Sequence, residues 1–302
     1  MVIAPYSPSY TNRVNYLTVA EFQAAPTGLD LSDLIPQGIQ LNQSTAISEL
    51  IGRASAIMDN YCFGTSGTLC ATLNTDNTGA TVTSSGKLFV HPKYWPVLAV
   101  TSASVGANPG SLSNVVLTSG NCWIEEQSFT LIAGWNSMTS QGPLAFGGTY
   151  GQEAYCVYSY VNGWPNTLLS ASVPAGSSSA SVTALTGIYP GTNLNIYDAP
   201  YDEAVVVSPT YVAGTNPVTF AAPLQYPHGA GISVSALPQS IKYACVLITA
   251  ALVRERGGGS NIVLSEVGEG TSETTAKLFN RDGDLAWAAE LLDPFRQVMI
   301  QY

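Results

Sequence analysis

The hydrophobic period of this sequence changes twice along the chain, and this change constrains the fold more than any other feature. In residues 1–61 and 236–302, apolar side chains recur every three or four positions, as on one face of a helix. Between them, residues 62–235 contain short alternating or β-branched runs bounded by Gly, Pro, Asn and Ser, which is typical of strands. The sequence therefore predicts an α+β fold: a small helical bundle of N- and C-terminal helices with a large inserted antiparallel β-sandwich or barrel domain.

The charged residues are divided in the same way. Residues 62–235 hold nine of the charged side chains and the two flanks hold the rest, although the flanks are shorter together. We expect the insert to be one β domain, or two smaller ones of about 62–155 and 156–235, with ends that lie close together. Seven strands stand out in it: residues 87–90, 115–117, 181–183, 193–197, 203–208, 217–220 and 231–235.

Two helices are predicted in the N-terminal flank. The first runs from Thr18 to about Ala24 and opens with a capping box formed by Thr18 and Glu21. The second covers residues 44–61 and has Asp59 on its polar face. Its apolar face consists of Ile47, Leu50, Ile51, Ala54, Ile57, Met58 and Tyr61.

Two further helices are predicted in the C-terminal flank. One begins after Pro238, which suits a first turn because its missing N–H is not needed there, and stops at Gly257. A polar, acidic loop covers residues 260–275. The last helix begins near Asp284 and ends near Pro294.

The net charge of −10 argues against direct binding of nucleic acid. Contacts with phosphates require clustered Lys and Arg, and the sequence has no basic run. An acidic wall would let DNA slide past without sticking.

The cysteines and the N-terminal residues bear on the compartment. The five cysteines form no CxxC pair and leave one unpaired under any scheme, so we predict free thiols in a reducing compartment. The first residues lack a signal-peptide pattern, and no apolar stretch reaches the roughly 18 residues of a membrane span. We expect a soluble protein assembled inside a cell.

The histidines and glycines do not predict an active site. His228 is interpreted as a turn residue that bonds to backbone, since the chain lacks a Gly-x-Ser-x-Gly elbow. His91 precedes a proline and has no metal-type spacing to any cysteine or carboxylate. The run of three glycines from Gly257 ends a helix and lacks a following Lys, so a flexible loop is favoured over a phosphate cradle.

Carboxylates and tryptophans leave alternatives open. Glu125 and Glu126 would point to opposite faces of a strand, which prevents them from acting as a pair. Asp198, Asp202 and Glu203 fit a hairpin turn better than a calcium site. Four tryptophans of the β block are interpreted as core or interface anchors, with a sugar groove as the alternative: Trp95, Trp123, Trp135 and Trp164. We therefore predict no catalytic residue, no cofactor and no metal.

Short motifs near both ends of the chain form a recognisable series. The sequence AWAAELLDPFR at residues 286–296 resembles the closing signature of head-to-tail connector (adaptor) proteins of tailed bacteriophages. YLTVAEF at residues 16–22 and the helix at 47–61 are similar to their opening helices, as is LPQSIKYACVLITAALVRER at 237–256. NGWPNT at 162–167, GTNLNIYD at 191–198 and HGAG at 228–231 are similar to larger members with a β insertion.

The resemblance implies a structural virion protein at the head–tail junction, assembled in the cytoplasm of the bacterial host. Such proteins form a ring of identical copies, commonly twelve, bound under the portal protein and continuing the DNA channel. Expected partners are the portal, a neck, stopper or tail-completion protein and the major capsid protein, with no membrane contact. DNA would pass without specific binding.

The resemblance also suggests which residues make these contacts. The C-terminal end would reach the portal through Pro294, Phe295, Arg296 and Tyr302. An assembly loop facing the channel, residues 257–275, would order when the ring forms; its members are Gly257, Gly258, Gly259, Glu266, Glu269 and Glu273.

Two other classes of function stay open from the residues alone. A β-sandwich carbohydrate-binding or adhesin module on a helical stalk would use the tryptophans. A hydrolase with an assembled carboxylate or zinc site would lose activity on changing Glu125, Asp202 or His228.

Overall fold

A computed structural model describes residues 15–29, 31, 42–64, 67–83, 87–125, 127–132, 153–256 and 283–297. Within these ranges the fold is α+β, as predicted, with four helices and several antiparallel sheets. Contacts divide the chain into two compact units. The helical unit contains the described parts of 1–69, 166–185 and 189–302, and the sheet unit contains those of 70–165 and 186–188.

The N-terminal helices form where the sequence predicts them. Helix α1 (Val19–Ala24) carries the predicted capping box between Thr18 and Glu21. Helix α2 (Gln43–Phe63) is capped by Asn42 and ends at Gly64, whose φ of 69° favours glycine. All of the predicted apolar face is buried except Ile57, which is half-buried.

Asp59 of α2 is a correction, because the helical pattern placed it on the polar face. It is buried, and its Oδ1 accepts hydrogen bonds from the Tyr16 hydroxyl and from the Leu69 N–H at 3.0 Å. A buried carboxylate needs such donors to offset its desolvation. Asp59 therefore joins α2 to the segments on both sides of it.

The C-terminal helices are α3 (Gln239–Arg256) and α4 (Gly283–Leu292), followed by a 3-10 turn (Asp293–Phe295). The Pro238 carbonyl accepts from the N–H groups of Ile241 and Lys242, at 3.0 and 3.2 Å. Helix α3 packs against both α2 and α4, and α1 packs against α2. The helices of both flanks thus share one core.

The helical unit also contains strands. They are β8 (Asn166–Leu168), β9 (Ser179–Ala180), β10 (Asn193–Tyr197), β11 (Glu203–Val206), β12 (Val218–Thr219) and β13 (Ser233–Ser235). The main sheet has the antiparallel order β11-β10-β13-β8, and β9 pairs with β12.

The compact units differ from the domain boundaries predicted at residues 61 and 236. Most of the second β region belongs to the helical unit, because it shares buried polar contacts with the helices. The buried Lys242 ammonium of α3 lies 3.8 Å from the ring centroid of Tyr197 in β10 and 3.2 Å from the Ser233 hydroxyl in β13. The Asn166 side-chain amide also donates to the Asn15 carbonyl at 3.0 Å.

The strands of the sheet unit are β1 (Thr72–Thr81), β2 (Lys87–Val90), β3 (Val97–Gly106), β4 (Ser113–Val115), β5 (Cys122–Ile124), β6 (Phe129–Ile132) and β7 (Glu153–Asn162). They form two antiparallel sheets, in the orders β1-β7-β3-β4 and β2-β6-β5. Strands β1 and β7 pair without a register shift from Thr72 opposite Asn162 to Thr81 opposite Glu153.

Aromatic residues fill the core of the sheet unit. The rings of Phe129 and Tyr158 meet edge to face with centroids 5.0 Å apart, and Tyr160 lies next to Tyr158. The buried Tyr160 hydroxyl donates to Asp76 at 2.7 Å and accepts from the Tyr94 N–H at 3.1 Å. The start and end of the unit are joined, since the Ala71 N–H donates to the Trp164 carbonyl at 2.7 Å.

Candidate functional site

The residues after α4 dock on the C-terminal end of α2. The Tyr61 hydroxyl donates to Asp293 Oδ1 at 2.5 Å, and the Gln297 N–H donates to the Cys62 carbonyl at 2.8 Å. Burial raises the pKa of Tyr61 to about 12, and the hydrogen bond to Asp293 adds to this rise. These contacts fix where the chain leaves the helices.

The predicted portal contacts lie on this docked segment. The guanidinium carbon of Arg296 lies 5.2 Å from the Tyr61 ring centroid, a cation–π arrangement. Pro294 and Arg296 are exposed, whereas Phe295 is half-buried. These three residues are consecutive in the sequence, and Tyr302 lies outside the described residues.

The facing ends of α3 and α4 lie side by side. Arg254 near the end of α3 forms an ion pair with Asp284 at the start of α4. The predicted assembly loop connects these ends, and its Gly257, Gly258, Gly259, Glu266, Glu269 and Glu273 all lie outside the described residues.

Two exposed aromatic residues form a pair on the same helices. Tyr243 of α3 and Trp287 of α4 meet edge to face with ring centroids 5.0 Å apart, and they are 39% and 48% exposed. Side chains of this size are more often buried in a core or an interface. The helical pattern did not single out this pair, because neither residue belongs to an apolar stripe.

His228 differs from its sequence interpretation. Its backbone pairs with Val173 as an isolated antiparallel bridge, but its ring bonds to two carboxylates. Nδ1 lies 2.9 Å from Asp198 Oδ2, and Nε2 lies 2.7 Å from Glu203 Oε1. The ring is fully buried, so these carboxylates are its polar partners.

This arrangement joins His228 to the turn that contains Asp198 and Glu203, and it does not resemble a hydrolytic site. Each ring nitrogen faces a carboxylate, which leaves no nitrogen to activate a nucleophile. Asp202, the other residue suggested for a hydrolase, accepts a hydrogen bond from the Asp198 N–H at 2.7 Å and so stabilises the turn. Among the described residues, no group of three or more His, Cys, Asp or Glu side chains is arranged to hold a metal ion.

The remaining candidates are carboxylates, a histidine and tryptophans of the β region. Glu125 accepts a hydrogen bond from the Ser128 hydroxyl at 3.1 Å, Glu126 is outside the described residues, and His91 is exposed. Trp123 is exposed beneath the Lys87 ammonium, which lies 5.3 Å from its ring centroid. Trp95 and Trp164 are half-buried, and Trp135 lies outside the described residues.

All five cysteines are free thiols, as predicted. Cys62, Cys156 and Cys245 are buried, while Cys70 and Cys122 are half-buried. Burial raises the pKa of the Cys156 and Cys245 thiols to about 12 and raises that of Cys62 as well. These three thiols are therefore poor nucleophiles near neutral pH.

None of the helices in the described ranges is both long and apolar enough to cross a membrane. Compared with known proteins, the chain matches no family model and no curated protein.

Proposed function

We propose that this protein is a head-to-tail connector of a tailed bacteriophage, a structural virion protein that forms a ring under the portal. In this role residues 1–61 and 236–302 form the helical bundle of the ring body, and the β region is inserted between them as a sandwich or barrel. The ring, a dodecamer in this proposal, joins the head to the neck or tail and continues the DNA channel. The acidic chain gives DNA little to bind.

The observation that carries the proposal is the common core of the two helical flanks. Helix α3 packs between α2 and α4, and the Lys242 ammonium of α3 forms a buried ion pair with Glu21 of α1. The segment after α4 then returns to the end of α2 through Tyr61 and Asp293. A ring body assembled from both ends of the chain requires this kind of packing.

The exposed pair of Tyr243 and Trp287 is the proposed contact between neighbouring copies. Large aromatic side chains contribute much of the binding energy at interface centres. Contact of this patch with a different patch on the next copy would be a heterologous interface. Such an interface forms a ring when the rotation from each copy to the next closes on itself.

The connection between α3 and α4 is the proposed assembly loop. Because Arg254 and Asp284 hold the two helix ends together, a connection of a few residues would be long enough. Residues 257–282 are far more chain than this closure needs, which leaves residues that could make contacts in the assembled ring. Glu266, Glu269 and Glu273 would then line the channel.

The portal contact is the proposed role of residues 294–302. Docking through Tyr61 and Asp293 holds Arg296 beside the end of α2, where it is exposed for a carboxylate of the portal. Phe295 and Tyr302 would supply apolar anchors.

Negative-stain imaging of the purified chain, with and without its portal, tests the proposal. Closed rings that bind the portal are expected, and a chain that remains monomeric with the portal present would contradict the proposal.

Truncation after Asp293 tests the assignment of residues 294–302 as the portal contact. If the truncated rings still bind portal-containing heads normally, these residues are not the contact. The variant Trp287→Ala should weaken ring closure, with Val212→Ala at an exposed β-region site as its control.

A further inference from the structure

The ionisable side chains of the second β region are gathered at one place. Residues 166–235 contain no Lys or Arg, and their only acidic residues are Asp198, Asp202 and Glu203. These three carboxylates lie within one turn, and His228 is the only histidine of the region. Charge is scarce in this protein, so its concentration at a single surface site points to a function.

The charged cluster fixes two turns against each other. One turn, residues 198–203, supplies Asp198 and Glu203 to the two nitrogens of the His228 ring. The other, residues 225–228, contributes His228 and the Gln225 N–H, which donates to Glu203 Oε2 at 2.9 Å. Asp202 closes the first turn through the Asp198 N–H. Both turns are thus held by side-chain hydrogen bonds as well as by the sheet.

An exposed pair of tyrosines lies on these turns. The rings of Tyr201 and Tyr226 have centroids 5.3 Å apart and are inclined by 36°. They are 49% and 39% exposed, so much of their ring surface faces solvent. Their hydroxyls have no described hydrogen-bond partner, and neither ring belongs to the core. Tyrosine is enriched at interfaces, and a pair that is already held in place loses little freedom when a partner binds.

We propose that Tyr201 and Tyr226, together with Asp202, form a recognition site for a cationic side chain, the guanidinium or ammonium group of a partner protein. The face of a tyrosine ring attracts a cation through its quadrupole. Asp202 follows Tyr201 in the turn, is exposed and uses one carboxylate oxygen for the turn. The side chain of Asp198 is 24% exposed. No Lys or Arg of this β region competes for these carboxylates.

Charge complementarity favours a cation over a neutral sugar. A saccharide would stack on the rings but would gain little from the negative charge of the site. An arginine gains from both, since its planar guanidinium stacks on aromatic faces and bonds to carboxylates. His228 is a positioning residue here, because its ring is buried and bonds to Asp198 and Glu203 of the supporting turn.

This proposal stands apart from the connector function. Ring formation depends on the helices, whereas the tyrosine site lies on the turns of the second β region. Either proposal can fail while the other holds.

The test uses the full chain with tyrosine-selective isotope labels and a capped tri-arginine peptide as the probe. Binding is followed by the ring signals of Tyr201 and Tyr226, which are assigned by their absence in Y201A and Y226A. We expect saturable shifts, and binding that weakens with added salt.

Each of Y201A, Y226A and D202N should lower the affinity about two- to fivefold, the range typical of an exposed cation–π contact. All three sites are exposed, and thermal unfolding checks that each variant remains folded.

The controls separate the cation from other ligands. V212A removes an exposed apolar side chain of the same β region and should leave the peptide affinity unchanged. A capped tri-serine peptide should not shift the tyrosine signals. The proposal is overturned if tri-arginine gives no shifts at millimolar concentration, if Y201A and Y226A bind it as well as the parent chain, or if chitotriose shifts both rings and tri-arginine does not.

Discussion

The ammonium group of Lys242 in α3 and the carboxylate of Glu21 in α1 form a buried ion pair across 221 positions of sequence. The two side chains are 5% and 10% exposed. The second oxygen of Glu21 accepts from the Thr18 N–H at 2.6 Å, and Lys242 also contacts Ser233 and the ring of Tyr197. One buried cation therefore joins the first helix, the third helix and two strands.

Replacing Lys242 by Met should strongly destabilise the protein. The change keeps most of the side-chain volume but leaves the Glu21 carboxylate buried without its cation. We expect the free energy of unfolding to fall by about 3–5 kcal/mol, measured by urea denaturation. The double variant Lys242→Met with Glu21→Gln should recover most of this loss.

Arg254→Met breaks an exposed ion pair and so provides the matched comparison for the buried pair of Lys242 and Glu21. Arg254 and Asp284 are 45% and 32% exposed, so solvent screens their attraction. The loss should be at most about 1 kcal/mol. Equal losses for Lys242→Met and Arg254→Met would show that burial does not set the strength of the Lys242 pair.

Asp59→Ala should destabilise the N-terminal part of the helical unit. The change removes a buried acceptor of the Tyr16 hydroxyl and of the Leu69 N–H, and leaves the N–H with the Tyr16 oxygen alone, at 3.0 Å. The expected loss is about 1–3 kcal/mol in urea denaturation. Glu49→Ala, at an exposed position of the same helix, should change stability by about 0.5 kcal/mol or less.

The buried thiols should make the protein less stable at alkaline pH. The pKa of Cys245 is about 12 in the folded chain and about 8.5 in an unfolded one, so between these values the folded state keeps a proton that the unfolded state releases. Its contribution to stability is complete below the unfolded pKa and is lost by about 1.4 kcal/mol per pH unit as the pH rises. Under reducing conditions and above about pH 9.5, the free energy of unfolding of Cys245→Ala should fall less steeply with pH than that of the parent chain, by about 1.4 kcal/mol per pH unit. Parallel curves for both proteins in this range would contradict the assignment.

Tyr61→Phe should loosen the segment that follows α4. The change removes the hydroxyl that donates to Asp293 and retains the ring beneath Arg296. We expect the Gln297 N–H, which donates to the Cys62 carbonyl, to exchange with solvent about fivefold faster, equivalent to about 1 kcal/mol. Tyr243→Phe, on an exposed face of α3, should leave this exchange rate unchanged.

The helices were largely predictable, α1 from its capping box and α2 from its long apolar face. Residues 44–61 were predicted for α2, and the observed helix is Gln43–Phe63. Asp59 was placed wrongly because its partners, Tyr16 and Leu69, come from outside the helix. No periodicity within α2 contains that information.

The strands were predictable where apolar residues alternate. Strand β10 has its predicted bounds, Asn193–Tyr197, and β2 has its predicted bounds, Lys87–Val90. Strand β1 was not singled out, since its Thr- and Asn-rich sequence shows no apolar alternation and its conformation depends on pairing with β7. Predicted residues 115–117 lie at and after the end of β4, where Val116 is exposed.

The charged cluster around His228 could not be derived from sequence spacing. Asp198 and Glu203 precede the histidine by 30 and 25 positions, and the folded turns bring them to its two nitrogens. The low charge of the region was visible in the sequence, and it could have marked the cluster before the fold was known. The exposed tyrosines gave no such signal, because sixteen tyrosines are spread along the chain.

The hydrogen bond between Ala71 and Trp164 has a consequence for the history of the gene. Because the chain enters and leaves the sheet unit at neighbouring points, the coding sequence for most of that unit could be gained or lost in one recombination event. The remaining ends would already be close enough to ligate through a short peptide. A shortened chain that lacks this block should therefore join α2 to β8 without a long replacement linker.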